Sequence, residues 1–246
     1  MDLQNAFVLH RRPFKESSLL IDFFTINDGK ISLVGRAGRG RKNSQSAILQ
    51  PFTLLNIAYA GKGGLKSMRQ VEAVSNSLPL SGRHLYASFY LNELLYRLLA
   101  SEQANPELFS HYQNALLALA KQQPLEPLLR EFEFNLMQCL GYIGALSYCA
   151  DTMDAVFPDR MYKYVPHVGI VPSIYKVAVD SSFLGKDLLA FEQRQFNQEN
   201  LAAAKRFCRQ MLLPYLGNKP LKSRELFINK PLKSRELFIN KGMKRE

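Results

Sequence analysis

Residues 29–71 hold eight basic side chains (Lys30, Arg36, Arg39, Arg41, Lys42, Lys62, Lys66 and Arg69) and no Asp or Glu. A surface that only keeps a protein soluble mixes both signs. A one-sign stretch this long therefore points to an anionic ligand, with a solvated face as the plainer alternative for any charge run. Spaced cations match a phosphate backbone, whose condensed counterions they release, so affinity should fall steeply with salt and depend little on sequence. Within the stretch, GRAGRGRK (35–42) combines glycines, which let the backbone approach a phosphate, with forked guanidinium donors. Lys30, Arg36, Arg39, Arg41, Lys42, Lys66 and Arg69 are the candidate nucleic-acid contacts. Phe14, Phe52 and Tyr59 lie near them in sequence, and any that are exposed would stack on bases at about 1–3 kcal/mol each. Phe7, Phe23 and Phe24 fall inside apolar runs and are expected to fill a core, leaving at most two aromatics for a ligand.

Catalytic chemistry finds no comparable footing. The chain has no G-x-S-x-G elbow, no H-E-x-x-H and no G-x-x-x-x-G-K-[ST] loop. Gly38-Arg39-Gly40 opens like a dinucleotide fingerprint, but Asn43 stands at the third glycine position, in a strand-to-strand setting. His10, His84, His111 and His167 show no metal-ligand spacing, and Glu131 and Glu133 point to different faces of a helix. Cys139, Cys149 and Cys208 cannot pair evenly and share no C-x-x-C spacing, which favours a reducing compartment. A binding protein is expected here, with no enzymatic activity, no cofactor and no metal.

The elements that must position the basic stretch are short strands, at 6–9, 19–26, 30–34, 49–59 and 65–74, separated by turn residues. Asp28-Gly29 between two apolar runs is the clearest hairpin signal. Five short strands without a long helix suggest a small barrel. The OB-fold is the common nucleic-acid-binding form, and an SH3-like barrel fits the same strand count. After Leu78-Pro79-Leu80-Ser81-Gly82 the period changes to helical, over 83–100, over a helix capped by Asn105 with Pro106, and over 127–140 with Gly141 as its αL cap. Short strand candidates at 161–165 and 169–171 follow, then helix over 187–193 and 200–213, ending at Pro214. The fold class is α+β: a five-stranded barrel over 1–80, then a mainly helical domain over 81–246 with an irregular β insertion near 147–178.

With 246 residues and 47% hydrophobic content, the chain can bury a sizeable core. Its net charge is +11, yet residues 72–204 carry nine basic and fourteen acidic groups. The remaining positive charge sits from Lys205 onward, where NKPLKSRELFI occurs twice, at 218–228 and 229–239. Pro220 and Pro231 break any continuous helix, so each copy is expected to form a Pro-led helical turn or two. No apolar run approaches the ~20 residues that cross a bilayer. The N-terminus lacks a signal-peptide layout, so a cytoplasmic, nucleoid-associated protein is expected, with no membrane partner.

Several segments then carry a family likeness: AFVLHRRPFKESSLLIDFFT (6–25), LQPF (49–52), LPLSG (78–82), YLNELLYRLL (90–99), EPLLREFEFNLMQCLGY (126–142), AAKRF (203–207) and KPLKSRELF (219–227). In this order and spacing the chain resembles the RecO family of bacterial recombination mediators over essentially its whole length. The resemblance implies an OB-fold N-terminal domain and a helical C-terminal domain. It implies binding of single- and double-stranded DNA and annealing of complementary strands. It also implies cooperation with RecR in loading RecA onto strands coated by single-strand DNA-binding protein. It places the contact for that protein's acidic, Phe-ended C-terminal tail at Arg130, supplemented by Lys205 and Arg206. A guanidinium suits a carboxylate, although Glu126, one turn away, offers Arg130 an intrahelical ion pair instead. Some members carry a four-cysteine zinc motif after the third helix, where this chain has only Cys149, so no zinc is expected. The second tail copy is not part of the family pattern. A competing function is an adaptor that mainly binds an acidic protein tail, with DNA binding secondary; an RNA-associated barrel shares the charge pattern but not the helical half.

Overall fold

The computed structural model describes residues 3–228 apart from residues 17, 37–46, 62, 64 and 175–180. Five strands, β1 (Gln4–Phe14), β2 (Ser18–Thr25), β3 (Gly29–Arg36), β4 (Leu55–Ala60) and β5 (Lys66–Ala73), close into a barrel in the order β1-β2-β3-β5-β4. Neighbours are antiparallel except β3 and β5, which run parallel with Leu33 opposite Lys66 and Val34 opposite Ser67. This five-stranded crossover closure is the OB type. Period-two alternation builds the interior: Val8, Ile21, Phe23, Ile31, Leu33 and Ile57 all point into one buried cluster. Gly29 closes the expected β2–β3 hairpin at φ 67°, and a Cβ there would lie 1.9 Å from the Gln103 carbonyl oxygen. Turn and close approach together require glycine.

The apolar run from Leu49 does not form strand until Leu55. Leu49 and Phe52 are buried, but Pro51 intervenes and Phe52 sits at φ 64°, so these side chains enter the core from coil. Apolar content without alternation does not distinguish the two.

The chain divides into two compact units, Met1–Gln122 with Pro220–Glu246, and Gln123–Lys219. In the first, helices α1 (Gly82–Leu98) and α2 (Pro106–Ala120) join the barrel. The Asn105 side chain accepts from the Leu108 N–H at 2.9 Å and caps α2 as expected. Phe109 packs 5.3 Å from both Phe7 and Phe24, while Tyr112 meets Phe7 edge-on at 5.1 Å. Asn92 donates to the Leu9 carbonyl and accepts from the Tyr112 hydroxyl, a buried polar link between strand and both helices. The first tail copy belongs to this unit as a 3₁₀ turn (Lys222–Arg224) leading into a short terminal helix (Glu225–Ile228).

The second unit contains α3 (Leu125–Cys139), the small sheet β7-β6-β8, α4 (Gly185–Glu192) and α5 (Leu201–Leu216). Its strands are β6 (Met161–Val165), β7 (Gly169–Pro172) and β8 (Ser182–Leu184). β8 is not expected from the sequence; three residues are too few to show a period. Phe207 organises this core, stacked on Phe134 at 5.4 Å and touched by Tyr164 and Phe183. Helix α5 runs past Pro214 to Leu216, beyond its expected end. Tyr215 stacks on Tyr142 at 3.9 Å, a tertiary contact that holds the last turn despite the missing N–H. Among the described residues, no helix is long and apolar enough to cross a membrane.

Candidate nucleic-acid interface

Strand register sorts the candidate residues into three positions on the barrel. Directly paired residues point to the same face, about 5 Å apart per strand. On the outer face of β1-β2-β3, Phe7 pairs with Phe24, and Phe24 with Lys30. This end is covered by α1 and α2: Phe24 is fully buried, and Lys30 Nζ donates to the Tyr96 carbonyl at 3.1 Å while lying 5.7 Å over the Tyr96 ring. Burial lowers the Lys30 pKa from its ordinary value, with the Asp22 charge opposing. The backbone of Lys30 is held too, its carbonyl accepting from Glu102 N–H at 2.9 Å.

At mid-face His10 pairs with Asp22, and Asp22 with Ser32. The Ser32 hydroxyl donates to Asp22 at 2.5 Å, with His10 Nδ1 at 3.6 Å and Arg12 Nη1 at 3.5 Å. Burial by itself would raise the Asp22 carboxyl. The contacts from His10 and Ser32 and the Arg12 charge outweigh it and hold the pKa below the ordinary value.

Among the described residues, the far end is the exposed one. Phe14 pairs with Ser18, and Ser18 with Arg36, so an aromatic ring and an exposed guanidinium share one face about 10 Å apart. Lys15, exposed at the hairpin tip with φ 54°, lies 5.5 Å over the Phe14 ring. Exposed Glu16 shares that tip. Arg36 is the last residue of β3, where the chain enters the Gly-rich loop. Arg39, Arg41 and Lys42 lie outside the described residues. Sequence reasoning passes over Lys15, because residues 1–28 are net acidic; its place in the turn after Arg12-Pro13 is the available signal.

The remaining barrel candidates separate in the same way. Lys66 is 13% exposed, paired with Glu102 at 2.9 Å and lying 5.6 Å over the Tyr59 ring. Arg69 is exposed because the β4–β5 register jumps from Ala58–Gln70 to Tyr59–Met68 and leaves it as the extra residue of a bulge. A bulge re-aims a side chain out of the ladder. The structure thus brings Arg36 to the open end, exposes Arg69 on β5, and engages Lys30 and Lys66 internally. Arg11, not a candidate, is also engaged: its Nη1 donates to the Leu49 carbonyl at 3.0 Å, and burial lowers its pKa.

In the second unit, Arg130 on α3 is 11% exposed and pairs at 2.9 Å with Glu133, which is 1% exposed. The intrahelical pair offered as the alternative reading thus forms with Glu133, on the buried side of the helix, and not with Glu126. Cys208 lies beside this pair; its thiol pKa is pushed well up, first by burial and then by the Glu133 charge. Lys205 on α5 is exposed, and Arg206 lies 5.6 Å over the Phe183 ring. Cys139, Cys149 and Cys208 form no disulfide.

Fold and site together define an OB-type barrel protein with attached helices, whose barrel has one covered and one open, cationic end. The family described as Recombination protein O N terminal matches residues 1–77, and Recombination protein O C terminal matches residues 80–225. Curated relatives named DNA repair protein RecO include one from Actinobacillus pleuropneumoniae serotype 7, 48% identical over 90% of this chain and 92% of its own. Another, from Vibrio cholerae, is 46% identical over 92% and 93%, and one from Haemophilus influenzae is 45% identical over 92% and 95%. The chain belongs to the RecO family of DNA repair proteins.

Proposed function

We propose that this protein is a non-catalytic recombination mediator that binds single- and double-stranded DNA through the open end of its barrel. It anneals complementary strands and, with RecR, helps load RecA onto strands coated by single-strand DNA-binding protein. The observation that carries the reading is the Phe14–Ser18–Arg36 row leading directly into the acid-free loop. In OB-folds the strand 2–3 face and the loops joining strands 1–2 and 4–5 receive oligonucleotides. Here these are the open row, the Lys15 turn and the Gly-rich segment 61–65. Family membership supports the annealing and loading steps.

The test replaces Arg36, Arg39, Arg41 and Lys42 with Ala and follows fluorescence anisotropy on both DNA forms at several salt concentrations. Affinity should fall, and the salt slope should drop by roughly one unit for each phosphate no longer neutralised, with the melting temperature unchanged. Unchanged low-salt affinity would contradict the reading.

In the same reading the helical unit receives the acidic tail of single-strand DNA-binding protein through Arg130, with Lys205 and Arg206 contributing. The Glu133 pair fixes the direction of the Arg130 guanidinium. Arg130→Ala should weaken tail-peptide binding and leave naked-DNA affinity near wild type; equal weakening of both would refute the assignment.

A further inference from the structure

The first tail copy docks on helix α1. Glu93 clamps the turn: one carboxylate oxygen accepts from the Lys222 N–H at 3.0 Å, the other from the Ser223 N–H and hydroxyl at 2.8 and 2.6 Å. Arg97, one turn further along the helix, donates to the Pro220 carbonyl at 3.4 Å. Tyr86, on the same face, meets Phe227 edge-on at 5.8 Å. Leu221, Ser223 and Leu226 are each 2–3% exposed. The docked residues supply a Pro-led turn, a hydroxyl donor, two leucines and a phenylalanine.

Residues 229–239 repeat that set without a change, so Pro231, Leu232, Ser234, Leu237 and Phe238 offer the dock the same groups in the same order. The match to the C-terminal family description ends at residue 225, before this second copy begins. We propose that the α1 dock is a site with two ligands in the same chain, and that residues 229–239 exchange with 218–228 on it. The side chains offered are the same in both copies, so the connection is what distinguishes them. From Leu216 it spans residues 217–219 in the first register and eleven residues more in the second. The closure term scales as the three-halves power of loop length, which favours the first copy by roughly tenfold. Exchange frees the first copy, with Lys219, Lys222 and Arg224, for other contacts. Trans docking onto another molecule competes poorly with a tethered ligand at millimolar effective concentration.

Cysteine pairs in the full chain read the register directly: Tyr86→Cys with Phe227→Cys for the first, Tyr86→Cys with Phe238→Cys for the second. A short bis-maleimide reagent links them, and peptide mapping separates these links from Cys139, Cys149 and Cys208. Both pairs should link within one molecule, the second roughly tenfold less, and Leu221→Asp with Leu226→Asp should make the second dominant. In a chain with an intact first copy, Leu232→Asp with Leu237→Asp should abolish the second link and leave the first. A second link that never forms, that survives Leu232→Asp with Leu237→Asp, or that forms only between molecules overturns the proposal.

Discussion

The outer face of β1-β2-β3 has two ends that read alike in sequence and behave as opposites. Each end pairs a phenylalanine with a basic residue of the same acid-free stretch: Phe24 opposite Lys30 at one, Phe14 beside Ser18 and Arg36 at the other. At the first, α1 and α2 bury the ring and take the ammonium onto a backbone carbonyl and an aromatic face. At the second, Arg36 is exposed and Phe14 is half-buried at the rim. On this face of the barrel, a cation is available to a phosphate backbone only when the fold leaves it in water. The covered end holds the fold, and the exposed end is where the proposed DNA contact falls.

Substituting the two phenylalanines breaks this comparison most sharply. Phe24→Ala removes a fully buried ring from between Phe109 and Tyr112 and should cost about 3–5 kcal/mol in chemical denaturation. Phe14→Ala should change stability by only about 0.5 kcal/mol. Equal destabilisation would mean that the open end is packed like the other.

Asp22, between the ends, gives the next largest effect. Its carboxyl titrates lower in the fold than the roughly 3.9 of an unfolded chain. Its contribution is therefore complete above that value and disappears as pH falls through the folded value. Asp22→Asn should cost about 1–3 kcal/mol at neutral pH and flatten the acid limb of a stability-versus-pH curve. A variant that keeps the wild-type acid limb would show that the carboxylate does not link the two ends.

Much of the fold was legible because its signals are local. Asp28-Gly29 marks the hairpin, Asn105-Pro106 starts α2, and Gly141, at φ 71°, ends α3. What stayed hidden depends on contacts distant in sequence or on register. Glu102, which engages Lys66, and Tyr96, which engages Lys30, lie tens of residues from their partners. The bulge that frees Arg69 is set by pairing with β4. Glu126 and Glu133 are both within a turn of Arg130, and only packing shows which one shares its buried side. The acid-free stretch thus marks β3 and β5 as carriers of the candidate cations, but not which of those cations face outward.

The most direct test of the open-end account is the salt dependence of single-stranded DNA binding in two double variants. Arg36→Ala with Arg69→Ala should lower the log–log slope by about one to two units and leave the melting temperature unchanged. Lys30→Ala with Lys66→Ala should keep the wild-type slope and lower the melting temperature. A slope that falls for the lysine pair and holds for the arginine pair would contradict the account.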